Sequence, residues 1–241
     1  MKIEIIPSSP KYEPLLDIHK PIPANKFLPE WYKKMGLGDM LETKFYGDDF
    51  VTAKKCPAIQ DMVSDGFILP LWGKLYFKTN YDEDGNITGQ QYDFTLRDSF
   101  NEHADDWVGH HGDIQLGEMD INRTSIGGIA KLKYPFSFIV PEGYNLMFTD
   151  PFYHFRKDVR CLSGIVESDK WGQITFPFEL LSDKFVIDFG TPFVHVYPMA
   201  RMDEKFELNV RKGTNEEYQY FHNQQVNYMA TRKTYKYDKD Y

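Results

Sequence analysis

Residues 136–149 read FSFIVPEGYNLMFT, two apolar runs on either side of the turn sequence Pro141-Glu142-Gly143. Aromatic and β-branched residues that flank a turn containing proline and glycine are typical of two strands connected by that turn. We therefore predict strands at Phe136–Val140 and Asn145–Thr149.

Similar short apolar runs, each bounded by Gly, Pro or Asp, occur on both sides of this segment. The other predicted strands are Lys2–Ile6, Phe67–Leu71, Leu75–Lys78, Gln91–Leu96, Ile129–Leu132, Gln173–Leu180, Lys184–Ile187 and Pro192–Tyr197. Many short strands with frequent turn signals favour a mainly antiparallel β-sandwich or barrel. The turn DEDGN at residues 82–86 predicts a hairpin.

Three segments of different character follow from this pattern. Residues 1–54 form a predicted extended N-terminal arm, because repeated prolines prevent continuous strand pairing, and a short helix follows Pro29. We expect the arm to wrap over the core or a neighbouring subunit. Residues 55–212 form the predicted β-sandwich core, which begins with another short helix near Pro57. Residues 213–241 form a predicted C-terminal helix and tail, with the helix over Asn215–Lys233.

Composition narrows the classes of function. The chain of 241 residues has a formal net charge of −8, so phosphate backbones and anionic lipid are not attracted to it overall. It has two cysteines, Cys56 and Cys161, without the spacing of a thiolate metal site. No window reaches the length of apolar sequence that a membrane helix needs. We expect a soluble, cytoplasmic protein that binds neither nucleic acid nor membrane.

Residues 163–174, SGIVESDKWGQI, resemble the motif AGVIDxDYRGEI of the trimeric dUTPase and dCTP deaminase superfamily. Pro141–Tyr144 resembles the PxGY turn of that superfamily, and residues 189–196, FGTPFVHV, stand where it carries GDRIAQLI. The resemblance covers residues 139–198. It implies a dUTPase-like β-clip fold and a homotrimer whose sites lie between subunits.

The same resemblance indicates candidate catalytic residues. In that superfamily an aspartate of the motif activates water and a tyrosine stacks on the pyrimidine, whereas here Glu167 and Lys170 occupy those positions. The phosphate-binding RSS segment is replaced by TDPFY at residues 149–153. Glu167 and Asp169 could act as a catalytic carboxylate pair or bind Mg²⁺ with a nucleotide, and Trp171 could stack on a ligand. The alternative is a polar turn closed by a glycine.

A second resemblance covers residues 55–201. The stretches KCPAIQDMVSDGFILPL, PFSFIVPEGY, ITFPFE and GTPFVHVYPMAR are similar to an uncharacterised protein family of tailed phages and bacteria. This similarity implies a phage-encoded protein and carries no known activity.

A metal site is a further hypothesis. His111, Asp113, His195 and then Arg201 follow the residue order of a two-histidine, one-carboxylate triad with an arginine, as in iron(II) and 2-oxoglutarate oxygenases. Side chains two apart on a strand share a face, and Arg201 could bind a dicarboxylate cosubstrate bidentately. The alternative places His111 and Asp113 in a polar loop and makes His195 a hydrogen-bonded histidine of a strand.

Three functions stay open from the sequence, and with them the question of whether the protein is an enzyme. The leading hypothesis is a non-catalytic, phage-related protein with a binding or assembly role, because each catalytic signature is incomplete while the framework turns are intact. The alternatives are a divergent nucleotide hydrolase or nucleotide-binding regulator, and an iron-dependent oxygenase. The expected partners are the protein itself as a homotrimer, other phage proteins or a small molecule, in the host cytoplasm or the virion.

Overall fold

A computed structural model describes residues 2–36, 52–96, 107–110, 129–202 and 207–231. These residues divide between two compact units. One unit combines the N-terminal segment up to Met35 with Met62–Arg201, and the other combines described residues from Gly36–Asp61 and from Met202 onwards. Residues 2–35 of the predicted arm therefore belong to the β-rich unit, and the arm's described residues 36 and 52–54 belong to the other unit.

The described chain is mainly β. Its strands are β1 (Glu4–Pro7), β2 (Ile22–Pro23), β3 (Phe67–Pro70), β4 (Gly73–Tyr81), β5 (Ile87–Leu96), β6 (Val108–His110), β7 (Ile129–Ile139), β8 (Tyr144–Thr149), β9 (Val159–Cys161), β10 (Gly164–Val166), β11 (Gln173–Leu180), β12 (Lys184–Ile187) and β13 (Pro192–Ala200). Its α-helices are α1 (Leu15–Ile18), α2 (Glu30–Lys34), α3 (Pro57–Ser64) and α4 (Asn215–Thr231), and short 3-10 helices occur at Pro10–Tyr12, Ala24–Lys26 and Ala53–Lys55.

The strands form three antiparallel sheets. The first has the order β1-β7-β11-β9, with β6 also paired to β7; the second is β10-β8-β13-β3-β2; and the third is β12-β4-β5. In the first sheet, β1 pairs with the end of β7 at residues 136–139 and β6 pairs with residues 130–132, while β11 pairs along β7 as well. A strand has two edges, and β11 occupies one edge of β7. Strands β1 and β6 therefore share the other edge, and they leave a gap between them.

An aromatic core joins the three sheets. Trp72 is fully buried at its centre, where its ring contacts the rings of Tyr134, Phe176 and Phe193. Leu15 of the arm is also fully buried in this core. Burial of such side chains is the main stabilising contribution to folding, at roughly 25 cal/mol for each Å² of apolar surface removed from water. The arm is therefore held by the same core as the sheets.

Polar contacts add further anchors for the arm. Strand β2 pairs with β3, and Ser8 continues the β1 pairing by donating its backbone N–H to the Pro135 carbonyl at 2.9 Å. The Trp31 indole N–H donates to the Tyr153 carbonyl at 2.6 Å. The predicted arm thus contributes two short strands to the sheets, because proline prevents only continuous pairing.

The predicted β class, the hairpin at residues 82–86 and a C-terminal helix are confirmed. Two predicted strands, Ile129–Leu132 and Phe136–Val140, are a single strand, β7, in which Pro135 is accommodated beside the gap. Three strands of three residues each, β6, β9 and β10, were not predicted because each is too short to show a period. None of the described helices is long and apolar enough to cross a bilayer.

In the second unit, helix α4 begins with a capping box. The Thr214 hydroxyl accepts a hydrogen bond from the Glu217 backbone N–H at 3.2 Å, and the Glu217 carboxylate accepts one from the Thr214 backbone N–H at 2.8 Å. Each side chain accepts a hydrogen bond from the backbone N–H of the other residue, which fixes the start of the helix.

Candidate functional site

Residues 167–172, here called the Glu167 turn, connect β10 to β11. The backbone N–H groups of Lys170 and Trp171 both donate to the Glu167 carbonyl, at 2.9 and 3.0 Å. The Gly172 carbonyl accepts from the Phe138 N–H at 3.0 Å, and a Cβ at Gly172 would lie 2.6 Å from the Phe138 oxygen. Only glycine allows the turn to approach β7 this closely.

Asp169 joins this turn to the turn between β7 and β8. Its carboxylate accepts a hydrogen bond from the Gly143 N–H at 3.0 Å and pairs with the guanidinium of Arg201. Arg201 also donates from Nε to the Asn145 side-chain oxygen at 3.1 Å. The Gly143 N–H, and then Arg201, hold the pKa of Asp169 below its ordinary value. Asp169 is therefore an anion whose interactions are structural.

Glu167 lies at the surface beside two cations. Its carboxylate pairs with the Lys170 ammonium, and Oε2 lies 3.7 Å from Nη1 of Arg201. The hydrogen bond and charge of Lys170, followed by the charge of Arg201, lower the pKa of Glu167. A general base works best with a pKa near the operating pH, so this environment makes Glu167 a weak base.

His195 occupies a buried position in β13. It is 1% exposed, its ring lies against Phe152, and Nε2 is 2.7 Å from the Asp65 carbonyl oxygen. Because a carbonyl oxygen only accepts, Nε2 carries the proton and is not free to bind a metal. Burial lowers the pKa of His195. This is the arrangement of a hydrogen-bonded core histidine.

The other predicted metal ligands, His111 and Asp113, lie outside the described residues. Within the described ranges, no group of three or more His, Cys, Asp or Glu side chains could hold a metal ion. Arg201, predicted to bind a cosubstrate, lies with Asp169 instead. The structure thus brings Glu167, Asp169 and Arg201 together and leaves His195 apart from them.

A cavity of about 610 Å³ opens at the gap between β1 and β6. After Ser8, the chain turns away from β7 at Pro10, which starts a 3-10 helix. Strand β6 begins its pairing at Leu132, so Lys133 and Tyr134 have no described strand beside them on this edge. Trp107, just before β6, closes the opposite side. We call this cavity the Trp171 pocket, after the indole that forms its outer wall.

The Trp171 pocket is aromatic and basic. Its lining residues are Ser8, Ser9, Lys11, Tyr12, Trp107, Lys133, Tyr134, Val166, Trp171, Gln173, Ile174 and Thr175. Among these described residues there is no carboxylate, imidazole or thiol. Trp171 is 66% exposed, although its backbone is fixed by the Glu167 turn. The pocket therefore presents a large apolar ring to solvent beside two ammonium groups.

Two buried donors lie in the wall of the Trp171 pocket. Trp107 and Tyr134 are 2% and 6% exposed, and in the part of the chain that the structure describes neither the indole N–H nor the phenol oxygen has a hydrogen-bond partner. Burial raises the pKa of Tyr134, which therefore remains a neutral donor. A buried donor without a partner costs about 1–3 kcal/mol.

The sequence predicts Trp171 as a candidate ligand-binding residue but does not indicate the other residues of this pocket. The available signals were Pro135 within an otherwise strand-like run and the sequence SSPKY at residues 8–12, which breaks the first strand. Neither signal indicates which segments meet. No protein-family model matches the chain, and no curated protein matches it. Function is therefore inferred from the geometry of the chain itself.

Proposed function

We propose that this protein is a non-catalytic binding protein that takes a small molecule into the Trp171 pocket. The observation that carries the proposal is the combination of a large open cavity with a lining that contains, among the described residues, none of the acids, histidines or thiols most often used in catalysis. The aromatic and hydroxyl-bearing side chains of the lining suit binding and orientation.

A nucleotide hydrolase has less support. Its catalytic pair would be Glu167 and Asp169, but Asp169 is occupied by Gly143 and Arg201, and Glu167 by Lys170. Both carboxylates have a lowered pKa, which opposes proton abstraction from water. Their contacts support a different role, the attachment of one turn to another.

An oxygenase also has less support. Binding of iron through Nε2 of His195 would require loss of the hydrogen bond to Asp65 and exposure of a buried ring. Arg201 would have to leave Asp169 to reach a dicarboxylate. Both changes remove interactions that stabilise the fold.

The finer parts of the proposal follow from the two resemblances. They are a phage-related origin, a dUTPase-like β-clip or sandwich arrangement of the sheets, assembly as a homotrimer or with other phage proteins, and action in the host cytoplasm or the virion. The net charge of −8 supports the expectation that nucleic acid and anionic membranes are not partners. Light scattering during size exclusion tests the trimer, and a monomer would contradict it.

The binding role can be tested by a fragment screen with ligand-observed NMR on the whole chain. We expect fragments that bind the wild type to lose binding in Thr175→Trp, because Thr175 is an exposed strand residue in the pocket lining and the indole would fill the cavity. The matched control is Thr95→Trp, which places the same side chain at an exposed position of β5, outside the lining. Thermal unfolding of both variants checks that they are folded.

Two results would contradict the proposal. One is a screen without binders, or with binders that Thr175→Trp and Thr95→Trp affect equally. The other is chemical turnover: each binder is incubated with the protein and recovered for mass spectrometry, and we expect it unchanged. Conversion by wild type that is lost in Glu167→Ala would favour the hydrolase.

A further inference from the structure

We infer that the Trp171 pocket binds a planar aromatic molecule that carries an anionic group. This inference rests on the proposed binding function and names the chemical class of the ligand. It follows from three features of the described lining: its charge, its exposed aromatic ring and its unmatched donors.

The charge of the lining is positive. Lys11 and Lys133 contribute ammonium groups, and no described lining residue is acidic. Lys133 forms no ion pair with any described residue, and it stands directly opposite Thr175 in the sheet. The chain as a whole has a net charge of −8, so the attraction for an anion is local to this pocket. A local cation pair in a concave site raises the concentration of anions there.

The aromatic surface indicates a planar ligand. The ring of Trp171 is 66% exposed, while its neighbour Gly172 holds the backbone against β7. On the other side, Tyr12 and Trp107 meet edge to face with ring centroids 5.3 Å apart, and the Lys11 ammonium lies 4.8 Å from the Tyr12 ring centre. A flat aromatic ligand could therefore contact rings from both walls, an arrangement that favours stacked and edge-to-face pairs.

The unmatched donors indicate acceptor atoms on the ligand. The Trp107 N–H and the Tyr134 hydroxyl are buried in the wall without partners among the described residues. Oxygen atoms of a carboxylate, sulfonate or phosphate accept hydrogen bonds from such groups and do not compete as donors. An anionic ligand would thus pair with the lysine ammonium groups. After a small movement of the wall, it would also accept hydrogen bonds from these two donors.

Four probes separate the contributions of charge and ring. Naphthalene-2-sulfonate has both features, 2-naphthalenemethanol has the ring alone, cyclohexanesulfonate has the charge alone, and 2-naphthylmethylammonium has the ring with the opposite charge. Dissociation constants are measured by NMR titration on the whole chain. We expect the naphthalenesulfonate to bind tightest and the ammonium weakest, with the difference reduced at high salt because the attraction is electrostatic.

Paired variants assign each contribution to a residue. Lys133→Met should weaken naphthalenesulfonate binding by up to about fivefold, the effect of one exposed ion pair, and leave naphthalenemethanol unchanged. Lys184→Met, outside the lining, makes the same change in net charge and should have little effect. Trp171→Ala should weaken binding of all three naphthalene probes by roughly two- to tenfold, whereas Phe155→Ala, which removes a ring that is 69% exposed elsewhere, should not.

The outcomes distinguish the two proposals. Tightest binding of the naphthalenesulfonate, with losses confined to Lys133→Met and Trp171→Ala, supports the inference. Equal or tighter binding of the neutral or cationic naphthalene, blocked by Thr175→Trp, overturns the inference and leaves the pocket as a binding site. Absence of binding by all four probes also overturns the inference, and the fragment screen then decides on the binding function separately.

Discussion

The Arg201 guanidinium pairs with the Asp169 carboxylate and thereby joins the end of β13 to the Glu167 turn. The backbone makes the same connection, since the Arg201 N–H donates to the Gly143 carbonyl at 2.7 Å and the Gly143 N–H donates to Asp169. Two turns and a strand end are thus held by one ion pair and by two hydrogen bonds that backbone N–H groups donate, one to a carbonyl and one to the Asp169 carboxylate. Asp169 and Arg201 therefore act as a structural lock between these turns.

Asp169→Asn should reduce the sensitivity of the fold to acid. The pKa of Asp169 is lowered in the folded state from its ordinary 3.8, so its stabilising contribution is complete above that pH and is lost as the pH falls through the lower, folded value. Denaturant unfolding as a function of pH should show that the free energy of unfolding falls less at acid pH in the variant. At neutral pH the variant should be less stable than the wild type. Glu167→Gln is the control and should change the profile less, because its ion pair is exposed. An unchanged acid profile in Asp169→Asn would contradict the structural role.

Tyr134→Phe should stabilise the ligand-free protein by about 1 kcal/mol, because it removes a buried hydroxyl without a described partner. Tyr92→Phe should instead destabilise by about 1 kcal/mol, since the half-buried Tyr92 hydroxyl donates to Gln90 at 2.9 Å. Urea unfolding of the two variants measures both changes. Opposite signs support an unsatisfied donor beside the pocket, and a loss of stability in both would show that Tyr134 has a partner.

Gly172→Ala should destabilise by about 1–3 kcal/mol, as overpacking does, because the added methyl group would lie 2.6 Å from the Phe138 oxygen. The displaced turn would carry Trp171 with it, so we also expect weaker binding in the Trp171 pocket. Gly164→Ala is the matched control, since a Cβ there meets open space, and should change stability by less than about 0.5 kcal/mol. Equal effects of the two substitutions would mean that the turn tolerates a side chain.

His195→Gln should preserve stability above neutral pH and reduce its loss on mild acidification. Burial lowers the pKa of His195 from its ordinary 6.5, so the stabilising contribution is complete above that value and is lost as the pH falls through the lower, folded pKa. The glutamine amide can still donate to the Asp65 carbonyl. Thermal unfolding between neutral and mildly acidic pH tests this expectation. A variant with the wild-type acid response would show that another group is responsible.

The β class and several elements could be predicted because their signals are local. The turn at residues 82–86 is one case: the Asp82 carboxylate accepts from the Asn86 N–H at 2.7 Å, and Gly85 has a φ of 82°, a conformation suited to glycine. The same holds for the alternation of buried and exposed residues in β4 and for the Pro and Gly of the β7–β8 turn, which are visible in consecutive residues of the sequence. Each depends on neighbours in the chain and so needs no knowledge of the fold.

The candidate site could be predicted only in part. The sequence indicated that Glu167, Asp169, Trp171 and Arg201 are functional residues, but not that Trp171 belongs to a pocket while the other three form a lock. The distinction depends on partners that are distant in sequence, since Asp169 lies 26 residues from Gly143 and 32 from Arg201. Residues at such separations become hydrogen-bond partners only when whole strands pack together, so a local sequence pattern does not indicate them.

The sequence by itself determined that this chain builds short antiparallel strands, turns at particular glycines and prolines, and a C-terminal helix, because backbone preferences and side-chain alternation act between neighbouring residues. Only the tertiary structure decided that the Glu167 turn is locked by Arg201, and that Tyr12, Trp107, Lys133 and Trp171 line one cavity. The cavity exists because β1 and β6 meet the same edge of β7 without meeting each other, and that relationship arises from long-range strand pairing.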